Sequence, residues 1–125
     1  MKFRTCKFNE IKHLQNEDDR GIVEFNDGKN MIWFCADMSG DIAGCVALRI
    51  LGKNKGRLNH LYVKTAFRKG GIASFLIHTL VRYAMTLGIK SIETTSKSSL
   101  FTKKFKFQPT GIEYKCSGRK LILEL

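Results

Sequence analysis

Leu61-Tyr62-Val63-Lys64-Thr65-Ala66-Phe67-Arg68-Lys69-Gly70-Gly71-Ile72-Ala73-Ser74 is the stretch on which the fold turns. It reads as the end of a strand, a basic loop with two glycines, and the opening of a long helix. From Gly71 onward Ile72, Phe75, Leu76, Leu80, Tyr83, Ala84 and Leu87 recur at helical period, with Thr79 tolerated in the stripe. Gly88 follows as a natural C-cap. The start of a helix leaves backbone N–H groups without intrahelical partners at the positive end of the dipole, which favours an anion there. Gly70 and Gly71 let the backbone approach such an anion closely, and Arg68 and Lys69 add charge. The P-loop spacing G-x-x-x-x-G-K-[ST] is absent, as is the dinucleotide pattern G-x-G-x-x-G.

Working outward, residues 2–8 read as a short strand and residues 9–19 as one short, weak helix with Asn9 at its N-cap. Ile22-Val23-Glu24-Phe25 meets the turn signal Asn26-Asp27-Gly28, and Met31–Ala36 is an apolar run expected to be a buried strand. Strands are expected over Ile42–Leu51 and Arg57–Val63, joined by the basic tip Gly52-Lys53-Asn54-Lys55-Gly56. After the long helix come a strand over Ile89–Thr95, a short helix within Ser96–Lys106, and two closing strands, Phe107–Cys116 and Lys120–Leu125, about a Ser117-Gly118 turn. Four strands in the first half, then helix, strand, short helix, strand and strand imply an α/β (α+β) fold with a mixed sheet covered by helices. The one proline is Pro109, and neither a low-complexity run nor a repeat interrupts the chain, so residues 1–125 read as a single domain.

Arg68-Lys69-Gly70-Gly71-Ile72-Ala73 resembles the pattern [Q/R]-x-x-G-x-[G/A] of the GNAT superfamily of N-acetyltransferases, and Leu61-Tyr62-Val63 resembles that family's L-x-V strand end. Phe101-Thr102-Lys103-Lys104-Phe105-Lys106-Phe107-Gln108-Pro109-Thr110-Gly111 is similar to the family's closing stretch, L-Y-x-K-x-G-F-x-x-x-G. The resemblance is best over about Ile42 to Gly111. It implies a mostly antiparallel central sheet flanked by helices, with a shortened N-terminal helical part. It also implies acetyl-CoA as cofactor. The pyrophosphate would rest on the amides of Arg68, Lys69, Gly70, Gly71, Ile72, Ala73 and Ser74, and the pantetheine arm would pair along Leu61, Tyr62 and Val63. A bound primary amine would then attack the thioester directly, so catalysis is chiefly positioning, helped by a base and an acid.

Two departures from the family pattern bear on that acid and base. Where many relatives have a glutamate on the strand before the loop, this chain has Arg57-Leu58-Asn59-His60-Leu61, and His60 is the residue able to accept a proton near neutrality. A basic surround favours its neutral form. Where many relatives have a tyrosine as thiolate acid, the aligned residue is Thr102, whose hydroxyl can donate a hydrogen bond to the leaving sulfur. Ser98 or Ser99 could stand in, and Tyr62 or Tyr114 could reach the site from a strand. Lys106 takes the place of the family's glycine before Phe107. His13 and His78 read as structural, and no motif sets a base beside Cys45 or Cys116 to make a nucleophile.

The chain carries 22 Lys and Arg against 11 Asp and Glu, a formal charge of +11. Residues 1–41 hold 6 basic and 8 acidic side chains, whereas residues 42–125 hold 16 basic and 3 acidic, with no carboxylate between Asp41 and Glu93. Such a field draws polyanions: a phosphate-rich cofactor, a nucleic acid or a membrane surface. No stretch approaches the roughly 20 apolar residues of a membrane span, and the charged start lacks the apolar run of a secretory signal. Four scattered cysteines match no zinc spacing, so free thiols in a reducing cytoplasm, and no metal, are expected. The leading reading is an N-acetyltransferase, monomer or homodimer, acting on an amine acceptor. One alternative keeps the cofactor but takes a nucleobase or aminoacyl-tRNA amine, drawn by Lys53, Lys55, Arg57, Lys103, Lys104 and Lys106. The other is a catalytically silent module that binds CoA, nucleic acid or a protein.

Overall fold

Alternating apolar residues broken by Gly, Asn and Asp turns lay the chain out as strands, and the 3.6-residue period after Gly71 adds the principal helix. A computed structural model describes residues 1–17, 25 and 27–125. In chain order the elements are β1 (Lys2–Cys6), α1 (Phe8–Ile11) with a 3-10 turn over Lys12–Glu17, β2 (Met31–Met38), β3 (Asp41–Gly52) and β4 (Lys55–Val63). Then follow α2 (Ile72–Thr86), β5 (Ser91–Ser96), α3 (Leu100–Lys104), β6 (Gln108–Tyr114) and β7 (Gly118–Glu124). Among the described residues these strands form one seven-stranded sheet in the order β1-β2-β3-β4-β5-β7-β6. All neighbours are antiparallel except β4 and β5. The mixed, mostly antiparallel α+β architecture expected from the sequence is thus the one observed.

Each face of the sheet has its own core. Beneath α2 and α3, Phe34, Val46, Leu48 and Leu58 from the strands meet Leu76, Ile77 and Leu80 of α2 and Phe101 before Phe107. Full burial of such side chains is worth about 1.5–3 kcal/mol each. On the opposite face Ile11 and Leu14 cover Trp33, Cys35, Cys45, Ala47 and Tyr62. Only part of the helical stripe read from the sequence is buried. Ile72, Leu76, Ile77, Leu80 and Ala84 point inward, whereas Phe75, Tyr83 and Leu87 lie along its exposed margin. Phe75 gains partial cover by stacking on Phe3 at 5.2 Å.

Other boundaries move for local reasons. The first helix is capped at Lys7 rather than Asn9, because the Glu10 carboxylate accepts the Lys7 N–H at 2.7 Å and is itself held by Arg4 at 3.0 Å. The helix expected within Ser96–Lys106 shrinks to Leu100–Lys104. The Ser96 hydroxyl oxygen accepts the Ser98 N–H and the Ser98 oxygen accepts the Leu100 N–H, local bonds that compete with helical ones. The closing hairpin turns at residues 115–117, one step earlier than expected. His78, expected among apolar neighbours, is exposed on α2. The stretch Ile22–Phe25 before the turn signal and the end of the first helix fall largely outside the described residues.

Candidate active site

The parallel seam decides where a ligand can enter. β4 and β5 pair only at Lys55↔Ser91, Gly56↔Ile92 and Arg57↔Glu93, and then separate. The β4 edge from Leu58 onward therefore faces a cleft of about 480 Å³, lined among others by Asn59, His60, Leu61, Thr95, Ser98 and Ser117. β3 shapes that edge further. Its register to β4 jumps between Cys45↔Tyr62 and Ala47↔Asn59, so β4 carries an extra residue as a bulge. His60 sits in the bulge with φ 56°, a left-handed conformation uncommon outside glycine. The Cys45 thiol donates to its carbonyl oxygen at 3.7 Å.

The loop after β4 forms a second cavity of about 190 Å³, lined by Val63, Phe67, Arg68, Lys69, Ile72 and Ser74 with Gly71, Ala73 and Leu100. Gly71 is the N-cap of α2 at φ 83°, and Lys69 is also left-handed at φ 68°. No side chain caps this helix, and its first helical bond runs from Phe75 N–H to Gly71 O. The amides of Ile72, Ala73 and Ser74 thus precede the helical ladder and end at this cavity. Arg68 does not simply hang in solvent. Its Nε donates to Val63 O at 2.9 Å and its guanidinium lies over the Tyr62 ring at 5.6 Å, which ties the loop to the end of β4.

The imidazole of His60 lies on the face opposite α2, stacked on Trp33 at 5.5 Å and tilted against Phe25 at 5.5 Å. Burial first, and the Arg49 charge second, hold its pKa below the ordinary 6.5, so the ring is neutral at physiological pH. Trp33 is itself fixed, its indole N–H donating to Asp27 at 3.0 Å. Nothing in the apolar run Met31–Ala36 marked Trp33 as the histidine's partner, because that contact depends on the register between strands.

The other candidates are spread more widely. Ser98 lines the cleft. Thr102 stands on α3, its hydroxyl donating to the Ser99 carbonyl at 3.2 Å. Tyr62 is buried beneath the N-terminal helix, so strand pairing there would involve its backbone. Tyr114 lies at the exposed tip of the closing hairpin, opposite Gly118. Burial pushes the Cys45 thiol up to about 12, which suits a structural thiol. All four cysteines are free.

Sequence reasoning missed the polar floor of the cleft. Arg57 donates to Asn59 at 3.1 Å, to Glu93 at 2.9 Å and to Thr95 at 3.1 Å, and Lys120 approaches Glu93 at 3.5 Å. Arg57 is therefore turned inward and does not join Lys53 and Lys55 in a basic hairpin surface. Lys53 and Lys55 lie where β4 and β5 begin, and Lys103 and Lys104 lie on α3 beyond the other end of β5, a strand about 17 Å long at strand rise. Among the described residues no three His, Cys, Asp or Glu side chains gather as a metal site, and no helix is long and apolar enough to cross a membrane.

A splayed parallel pair, a bulged strand and an uncapped helix behind a basic glycine loop thus frame two neighbouring cavities. Residues 3–105 match the model of the acetyltransferase (GNAT) family. The chain belongs to that family. Solved structures carry the same fold at low identity. A CoA complex of Rv2747 from Mycobacterium tuberculosis aligns with TM-score 0.80 at 14% identity, covering 100% of this chain and 99% of that one. The ribosomal-protein-S18-alanine N-acetyltransferase of Escherichia coli aligns at 0.76 and 11%, covering 97% and 90%. A GNAT family acetyltransferase of Elizabethkingia anophelis with acetyl-CoA bound aligns at 0.68 and 19%, covering 77% of each chain. No curated protein matches the sequence.

Proposed function

We propose that residues 1–125 act as one acetyl-CoA-dependent N-acetyltransferase that moves an acetyl group onto a primary amine. The observation that carries this reading is the three-residue seam between β4 and β5, which leaves the Leu61–Val63 edge open and aimed at the α2 amides. That edge suits a pantetheine arm added like a strand, bonded through the backbone of Leu61, Tyr62 and Val63. The loop of Arg68, Lys69, Gly70, Gly71, Ile72, Ala73 and Ser74, all of which except Gly70 line the second cavity, suits the pyrophosphate, since its donors are backbone amides and its charge is positive. CoA and acetyl-CoA complexes among the structural neighbours support the same donor.

The chain then has three tasks. It holds the thioester carbonyl at the bulge, brings the amine nitrogen onto its carbon, and relays the amine's proton as the carbon–sulfur bond breaks. His60, neutral and at the bulge, is the base for that proton, and the departing thiolate takes up one in turn. Ser98 stands at the cleft to donate a hydrogen bond to the sulfur, with Thr102 behind it on α3. The test is calorimetric titration with acetyl-CoA, followed by CoA release in the presence of amines. Saturable binding with acceptor-dependent release is expected; no binding at millimolar acetyl-CoA would sink the reading. The reading as a CoA-binding module without catalysis predicts binding with no release for any amine.

A further inference from the structure

The charges around the bulge also bear on what the acceptor must carry besides its amine. Resting on the acetyltransferase reading, we propose that the acceptor is a small amine bearing a carboxylate next to the reacting nitrogen, and that Arg49 is the residue that selects it. On the face that carries His60, Arg49 of β3 stands directly opposite Arg57 of β4. Like charges in that position repel and need a counter-ion. Arg57 has one, Glu93, which Lys120 shares. Arg49 is exposed and has no carboxylate partner among the described residues. Arg49 and His60 both stand on this face of neighbouring strands, Arg49 on β3 and His60 at the β4 bulge against Trp33.

The walls of the cleft have the same sign. Arg57 and Lys97 line it with the hydroxyl-bearing residues Thr95, Ser96, Ser98 and Ser117, and no carboxylate is among its described lining residues. Glu93 is neutralised by two cations, Arg57 and Lys120, and Asp27 is engaged by the Trp33 indole N–H. Among the described residues that line the cleft, a polycationic acceptor would find no carboxylate to pair with. Arg49 pairs two residues along from the Ala47↔Asn59 pair at the bulge, about 7 Å at strand rise. Allowing for the length of the guanidinium arm, that separation matches the few ångströms between an amine and its own carboxylate.

The test uses CoA-loaded protein and matched N-acetylated products that differ only in the carboxylate. The pairs are N-acetylleucine with N-isopentylacetamide and N-acetylphenylalanine with N-phenethylacetamide, and N-acetylated O-phosphoethanolamine gives a phosphate arm. Calorimetry should find the carboxylates about 10-fold tighter than their neutral partners, the size of one exposed charge-assisted contact. Arg49→Gln should bring each pair to near parity without changing CoA affinity, and Arg49→Lys should keep most of the preference. The proposal is overturned by parity or reversal in the wild type, by tighter binding of the phosphate compound, by a preference that survives Arg49→Gln, or by no binding of any pair. Failure of CoA itself to bind would refute the acetyltransferase reading instead, so the two results are distinguishable.

Discussion

The two cavities at the end of β4 are built from different material. On the α2 side, the loop from Arg68 to Ser74 offers backbone amides, a left-handed glycine and the end of a helix. On the opposite side the groups on offer are side chains: His60 against Trp33, Arg57 against Glu93, and Arg49, exposed and paired with Arg57 across the strands. A backbone site tolerates most changes of side chain but not a change of backbone freedom or of charge sign at the anion. A side-chain site is the reverse, since each group depends on partners from other strands. The first kind of site can serve one ligand throughout a family while the second adapts to the acceptor.

Breaking each side in turn sharpens the contrast. On the acceptor side, His60→Ala should lower kcat/KM by roughly 100-fold or more, the usual range for losing a general base, with acetyl-CoA affinity little changed. An unchanged rate would remove His60 from the mechanism. On the loop side, Gly71→Glu should cost about 100-fold in acetyl-CoA affinity. It forces a side chain onto a residue at φ 83° and sets a negative charge at the helix dipole's positive end. Titration with retained affinity would refute the pyrophosphate placement.

A smaller effect is expected at Gly118, where a Cβ would lie 2.5 Å from the Ser96 carbonyl oxygen with φ at 95°. Gly118→Ala should destabilise the fold by about 2–3 kcal/mol, visible as a lower Tm, and displace the Ser96–Lys97 wall of the cleft. The smallest effect follows pH. Because the folded protein holds His60 below 6.5, the unfolded chain binds more protons beneath that value, so His60 makes stability fall as pH drops from about 6.5 through its lowered pKa. The acid limb of the rate profile should likewise lie below 6.5. A limb above 6.5 would contradict the buried, neutral ring.

What was legible in the sequence divides along the same line. The loop and helix could be read from Arg68-Lys69-Gly70-Gly71 because glycine freedom, helical period and a missing cap are properties of contiguous residues. The base could be named only as a residue type at a strand position. Its stacking on Trp33 and its place in a bulge arise from pairing β2, β3 and β4, which local sequence does not encode. The sequence places Arg57 in an exposed basic tip, yet two of its three hydrogen bonds cross to residues far along the chain, Glu93 and Thr95. Nor did the period of α2 separate buried Ile77 from exposed Phe75, since β1 covers only part of that helix.

The short seam between β4 and β5 has a mechanical consequence. Three parallel pairs join a four-stranded block, β1 to β4, to a three-stranded block, β5, β7 and β6. The sheet is thus a pair of plates on a pivot at Lys55–Arg57, with α2 and α3 packed across one side. Residues near the cleft mouth lie about 20 Å from that pivot at strand rise, so a rotation of a few degrees alters its width by roughly 1 Å. The Arg57–Glu93 ion pair sits at that pivot and ties the two blocks together, as does the core they share beneath α2 and α3. A ligand bridging the two plates would then act as a second fastener, and amide exchange at Ser91–Glu93 should slow when it binds.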